Sequence, residues 1–322
     1  MDLGLAFDDD DLNTTREKSR DDIYLPYSVK TCSPQWFESV VESYQNDLID
    51  TAADVDLEQL PQIFKFSGDF HYHKQNYEIA AERYRRSLEL LPENNVLMRV
   101  DVKESLCRCY LYCGHTNESL QMARDMVSEM SNQDETHQRQ SLLLLSSVCE
   151  KVGRWAECVE CLEKLCTKNP YYTQCWDGLG DAYRQLYSHL ENGIHLQEAT
   201  VIGGDNLDPE ICLVRPLTCY IRASLLHQAV MGKASGLTKT RNTAVIAKIS
   251  KKIGDLPLSE TLKALAFQHI QEQFDGHELY NEDKSEGNSN APWNDTSTEN
   301  TNVSYSELFY NKFCSWFRKL KT

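Results

Sequence analysis

No stretch of this chain approaches the roughly 18 uninterrupted apolar residues of a membrane-spanning helix. Its first residues, MDLGLAFDDDDLNTT, lack the basic patch and apolar run of a secretory leader. The expectation is a soluble intracellular protein, with cytoplasm and nucleus both left open. Also missing are a Gly-rich phosphate loop, a GxSxG elbow, an HExxH helix, and a second CxxC or a His pair at zinc-finger spacing. Those absences remove the common routes to phosphoryl transfer, acyl transfer and zinc chemistry. No catalytic residue, metal or cofactor is therefore expected, and the chain reads as a non-enzyme.

What is present suffices for a core: 322 residues, 41% of them apolar. The 12 cysteines, in a long chain without a leader, are expected to be reduced thiols rather than a disulfide framework. A net charge of −16 argues against broad attraction to phosphate backbones unless cations are segregated. They are. From Ile211 to Gly254 there is no acidic residue, while Arg215, Arg222, Lys233, Lys239, Arg241, Lys248, Lys251 and Lys252 contribute +8. Such a segment suits an anionic partner, nucleic acid included, or a dock for the acidic run Asp8 to Asp11.

Composition divides the chain into an acidic disordered tail at 1–30, an N-terminal capping segment at 31–57, and a region of helical periodicity at 58–190. A loop at 191–210, a helical extension with the basic segment at 211–275, a disordered linker at 276–306 and an amphipathic basic helix at 307–322 follow. Phe309, Phe313, Trp316, Phe317 and Leu320 recur at helical spacing in that last piece, and packing back onto the helical domain is its expected use.

The region 58–190 carries internal repeats. Trp176-x-x-Leu179-Gly180-x-x-Tyr183 has all four first-helix residues of a tetratricopeptide repeat, large side chains flanking a glycine where two helices approach. Phe64, Gly68 and Tyr72 form a looser first helix, with Ala80, Tyr84 and Pro92 as its second helix and terminator. Leu106, Tyr110, Gly114 and Ala123 make a third match, and Leu142, Leu145, Gly153, Leu162 and Pro170 a fourth. After Tyr187 the pattern breaks. The fold class is all-α, a tetratricopeptide-like solenoid of helical hairpins with a helical C-terminal cap.

Cys158-x-x-Cys161 invites a metal or redox reading, but Cys158 stands where Ala80 stands in the first repeat, so a thiol used as a small hydrophobe explains it. Cys107 and Cys109 diverge by about 200° on a helix, as do His71 and His73, which discourages a shared metal. The repeat register puts Lys65, Asp69, Tyr72 and His73 on the concave surface, then Asp101, Glu104, Arg108 and Tyr112. Leu143, Ser147 and Lys151 come next, followed by Asp177, Asp181, Arg184 and Gln185. A partner peptide or helix is expected there. Co-chaperones with such repeats clamp an acidic C-terminus using Lys and Asn. Here only Lys65 matches that pattern, and Asp69 and Asp101 oppose a carboxylate, so a chaperone-tail clamp is disfavoured.

Cys32-Ser33-Pro34-Gln35-Trp36-Phe37, Phe66-x-Gly68-Asp69-x-x-Tyr72 and Trp316-Phe317-Arg318-Lys319 together resemble the animal family called chromosome 8 open reading frame 76. That family is described chiefly by its repeats. The resemblance implies the helical-repeat fold and no reaction. An interaction scaffold is the leading expectation, and a nucleic-acid- or chromatin-associated protein using 211–254 is the alternative.

Overall fold

The computed structural model describes residues 36–45, 57–191, 209–231, 235–274 and 309–317. The acidic tail, most of the 191–210 loop, Lys233, the 276–306 linker and residues 318–322 lie outside the described residues. Every regular element among the described residues is helical. The chain divides into two compact units, Met1–Asp56 and Leu57–Thr322. The first contains α1 (Trp36–Gln45), whose Phe37 and Val41 are buried.

The second unit opens with a 3₁₀ turn (Leu57–Gln59) and proceeds as hairpins: α2 (Leu60–His73) with α3 (Tyr77–Leu90), α4 (Val96–Tyr112) with α5 (Thr116–Met130), and α6 (Glu135–Val152) with α7 (Trp155–Lys168). A fourth long helix, α8 (Thr173–Glu191), is followed by α9 (Pro209–Met231), α10 (Gly236–Gly254) and α11 (Glu260–Gln273). The last described segment, 309–317, is built around a π-helical turn, Tyr310–Cys314, where an amphipathic α-helix was expected.

Three hairpin turns share one construction. The residue closing the first helix adopts a left-handed backbone at Gln75 (φ 64), Gly114 (φ 82) and Gly153 (φ 81). The next amide reaches back to a carbonyl five residues earlier: Asn76 to His71, His115 to Tyr110 and Arg154 to Cys149, at 2.8 to 2.9 Å. This is the glycine-type helix stop, which satisfies carbonyls that the helix end leaves over. The corresponding residue of α8 is Tyr187, which does not enter that conformation, and α8 runs on to Glu191. Asn95 and Asp134 accept backbone hydrogen bonds at the starts of α4 and α6, from Met98 and His137, and so set where each new first helix begins.

Within each hairpin the two helices cross at one register position, held by Gly68, Cys107, Ser146 and Gly180 on the first helices. Gly68 meets the ring of Tyr84 so closely that an added Cβ would lie 2.7 Å from it, and Gly180 meets the ring of Tyr220 with a corresponding 2.5 Å. In the middle repeats the second helix offers Ala123 or Leu162 in place of tyrosine, and the crossing residue grows to cysteine or serine. Cys107 and Ser119 exchange hydrogen bonds with each other's carbonyls at 3.3 and 2.9 Å, and the Cys158 thiol donates to the Ser146 carbonyl at 3.5 Å. Volume is thus conserved across the crossing, as dense packing demands.

The recurrence at Tyr220 identifies α9 as the second helix of the fourth repeat. Gly68 precedes its tyrosine by 16 residues and Gly180 by 40. The inserted chain delays the helix without changing how it docks. Pro216 stands where Ala80 stands in α3, four residues before the tyrosine in each. The sequence expectation that the array breaks after Tyr187 is therefore corrected: covalent regularity stops there, but the packing does not.

Two apolar clusters stand out among the described residues. A small one joins α3 and α4 through Ala80, Tyr84, Leu91, Val102, Leu106 and Cys109. A large one runs from Cys107 to the C-terminal turn. Between repeats, Arg124 of α5 grips Glu157 of α7 with two bonds of 2.6 and 2.7 Å, which holds the Glu157 carboxyl below its ordinary range.

Candidate functional site

The open face of the first helices carries the positions expected to meet a partner. At its N-terminal end Lys65 bonds Asp69 at 3.0 Å and, across to α4, Asp101 at 3.1 Å. Tyr84 donates to the other oxygen of Asp69 at 2.7 Å. Burial works against the Lys65 charge, but the hydrogen bonds from its ammonium to Asp69 and Asp101 outweigh it and raise its pKa. Lys65 is a strut between α2 and α4, with its charge already matched.

The same knot recurs at the other end with the roles exchanged between helices. Lys252 of α10 reaches Asp177 and Asp181 of α8, both at 2.6 Å, and Tyr220 donates to Asp181 at 2.7 Å. Lys252 also lies over the Tyr220 ring at 5.3 Å. Asp177 and Asp181, read from sequence as groove acids, are here the counter-ions of a residue from the basic segment.

Between these knots the face is less committed. Tyr72, Tyr77 and Tyr112 form an aromatic cluster, with Tyr77 stacked on Tyr112 at 4.6 Å and Tyr72 edge-on to both. Tyr112 is 53% exposed. Burial pushes the Tyr72 hydroxyl up to about 12, Tyr112 adding to the effect and Arg108 opposing it. Arg108 pairs with Glu104 one turn earlier at 2.7 Å, and His73, Lys151, Arg184 and Gln185 are exposed. The residue at the Tyr183 position of repeat one is His71, one before the Tyr72 read from sequence, which explains why Tyr72 joins the surface cluster instead of the core.

Further along, α6 and α8 part to leave a recess of about 250 Å³. Leu143, Leu162 and Ala182 give it apolar walls, and Ser147, Gln174 and Asp181 give it a polar edge. An added Cβ at Gly178 would find only Leu162, at 4.0 Å, so the glycine helps keep this space open. Sequence reasoning placed Leu143 and Ser147 on this face but missed the recess, because it depends on Gly178 and on the separation of two helices.

The basic segment does not form one surface. Arg215 is buried, 3.6 Å from the buried carboxylate of Glu163, which also accepts a hydrogen bond from Tyr183. Burial opposes its charge, but the surrounding Tyr183, Tyr187 and Glu163 raise its pKa. Arg222 is half-buried, its guanidinium 4.9 Å from the Trp176 ring and 4.7 Å from the Phe313 ring, and burial lowers its pKa. With Lys252 neutralised as well, Lys239, Arg241, Lys248 and Lys251 are the exposed cations of that run among the described residues.

Arg215 and Arg222 are drawn inward by the C-terminal turn. Phe309, Tyr310, Phe313, Cys314, Trp316 and Phe317 are all buried. Phe309 and Phe313 lie against Trp176, Trp316 donates to the Thr218 hydroxyl at 3.2 Å, and Lys312 reaches the Thr167 carbonyl at 3.5 Å. The segment spans α7, α8 and α9.

The buried cysteines among the described residues serve packing. Burial pushes the thiols of Cys109, Cys158, Cys161, Cys175 and Cys314 up to about 12, far from the thiolate state in which cysteine attacks or ligates. Cys113 and Cys212 are less deeply placed.

Crossing, turn and knot together define a tetratricopeptide-like all-α solenoid. Residues 2–202 match the family of unknown function DUF5588, and the chain belongs to that family. It is similar to human "Uncharacterized protein C8orf76", 31% identical over 160 residues, and to its rat homolog, 31% identical over 157 residues. These alignments span 50% and 49% of this chain but only 39% and 38% of the relatives' own lengths. A crystal structure of MamA protein shares 15% identity, covering 67% of this chain and 96% of that one, with a TM-score of 0.34. The repeat assignment rests on the contacts of this chain itself. No helix among the described residues is long and apolar enough to cross a membrane.

Proposed function

We propose that the chain is a non-enzymatic interaction scaffold that receives a helix or extended peptide of a protein partner along the open face of α2, α4, α6 and α8. The observation carrying this reading is the recess of about 250 Å³ between α6 and α8, lined by Ser147 at the register position that Arg108 holds on α4. It suits one apolar anchor side chain, with Ser147 and Gln174 placed to bond a peptide backbone. Exposed Tyr and Arg are the side chains that most often anchor protein interfaces. The buried, high-pKa thiols support the non-enzymatic reading.

A chaperone's acidic tail is a poor occupant, because the charge of Lys65 is taken by Asp69 and Asp101. The nucleic-acid alternative loses support with Arg215 in the interior, Arg222 half-buried against Trp176 and Phe313, and Lys252 paired. The test compares proximity-labelled neighbours in living cells for the wild type, Leu143→Arg, Tyr112→Ala and an α10 control, Lys251→Ala. Neighbours lost in both face variants and kept in the control are expected. An identical neighbour list in all four contradicts the assignment.

A further inference from the structure

The groove filled by the C-terminal turn recurs elsewhere in the array with its charge reversed. In repeat four the turn rests on Trp176 and Tyr183, four residues before and three after the crossing glycine. Beside it α9 presents Arg215, Thr218 and Arg222, five and two residues before Tyr220 and two after it. Counted from Cys107 and Ala123, the same positions of repeat two are Lys103 and Tyr110 on α4, and Glu118, Gln121 and Asp125 on α5. These five residues, with Met122 and Met126, line an open recess of about 540 Å³.

The recess has a cause in the sequence. Where the other repeats fill its innermost position with Phe64, Leu142 or Trp176, repeat two has Lys103, which bonds both carboxylate oxygens of Glu129 at 2.6 and 2.7 Å. In repeat three the position of Glu118 belongs to Glu157, already taken by Arg124. In repeat two Glu118 and Asp125 are exposed on the rim and stand where Arg215 and Arg222 stand in repeat four.

We propose that this α4–α5 groove docks a short, basic, amphipathic helical segment of a partner protein, with aromatic or long apolar side chains over Met122, Met126 and Tyr110 and a Lys or Arg against Glu118 and Asp125. Three observations converge. A segment of that aromatic form occupies the equivalent groove of this same chain, the methionine lining adapts to varied side chains, and the rim charge selects a cationic edge. The chain's own acidic run, Asp8 to Asp11, has the wrong sign for it. The face differs from the open first-helix face and does not depend on its occupant.

The probe is a fluorescent peptide with the sequence of residues 309–322, Cys314 replaced by Ser, titrated into the full chain. A counterpart has Lys312, Arg318, Lys319 and Lys321 replaced by Glu. Binding of the basic peptide is expected, weakened by salt and lowered about tenfold by Glu118→Lys with Asp125→Lys, with the acidic counterpart much weaker. Both rim residues are exposed, so melting should not shift, and Gln121→Arg, also exposed, should weaken binding several-fold. The proposal is overturned if the basic peptide fails to bind, or if rim reversal leaves its affinity unchanged, which would place it in the α8–α9 groove. Self-association of the chain that disappears on rim reversal would also overturn it, by making a second copy the occupant.

Discussion

Repeats one and four are built on the same device and differ in what covers it. In each, a glycine admits a tyrosine ring, the tyrosine donates to the aspartate that follows the glycine, and a lysine ties that aspartate to a second one. In repeat one the tyrosine arrives from the next helix after a short turn. In repeat four it arrives after an insertion, and the C-terminal turn then seals the outer groove with six buried side chains. The crossing is therefore specified by a few residues of the first helix, whatever chain intervenes. Closure of the groove is a separate choice, made in repeat four and, among the described residues, left unmade in repeat two.

The largest effect that bears on this contrast is expected from removing the cover. Trp316 is 1% exposed, and Trp316→Ala should cost about 3–5 kcal/mol in chemical denaturation, as large aromatic deletions in a core do. A loss under about 1 kcal/mol would mean that the turn rests on the surface without adding to the core.

The crossings come next. Gly68→Ala and Gly180→Ala should each lose about 1–3 kcal/mol by overpacking against the tyrosine ring. Tyr84→Leu and Tyr220→Leu should each return part of that loss in the matching double mutant, since the middle repeats pair larger crossing residues with Ala123 and Leu162. If Gly180→Ala were silent, α9 would not be the second helix of repeat four.

The smallest effect concerns the turns. Gln75 holds the left-handed conformation that Gly114 and Gly153 hold in the next two repeats. Relief of that strain should let Gln75→Gly stabilise by a net ~0.5 kcal/mol, while Gly114→Ala should destabilise by about 1 kcal/mol, both read from thermal midpoints.

Much of the fold was legible because it is local. Trp176, Leu179, Gly180 and Tyr183 lie within two helical turns, Gly114 and Gly153 mark their own turns, and Cys158 betrays its small-residue role by alignment with Ala80. What escaped depends on distant partners. The join of Tyr220 to Gly180 crosses an insertion that breaks the spacing on which repeat detection relies. Arg215 and Arg222 look like surface cations until Glu163, Trp176 and Phe313 surround them. Lys252 reads as part of a basic patch, yet its counter-ions lie 75 and 71 residues earlier on α8. On the candidate face, sequence placed its positions on α2, α4, α6 and α8, Leu143 and Ser147 of the recess among them. It overvalued Lys65, because a charge on an exposed register position says nothing about whether a neighbouring helix has already matched it.

Hydrogen exchange on the full chain, resolved by segment, tests most directly whether one half is closed by its own chain and the other left open. Residues 309–317 should protect together with α8 and α9 as one cooperative block, while α3 and α4, joined by the smaller cluster, open at lower free energy. Rapid exchange of 309–317 with α8 and α9 still protected, or equal protection of both halves, would contradict the account.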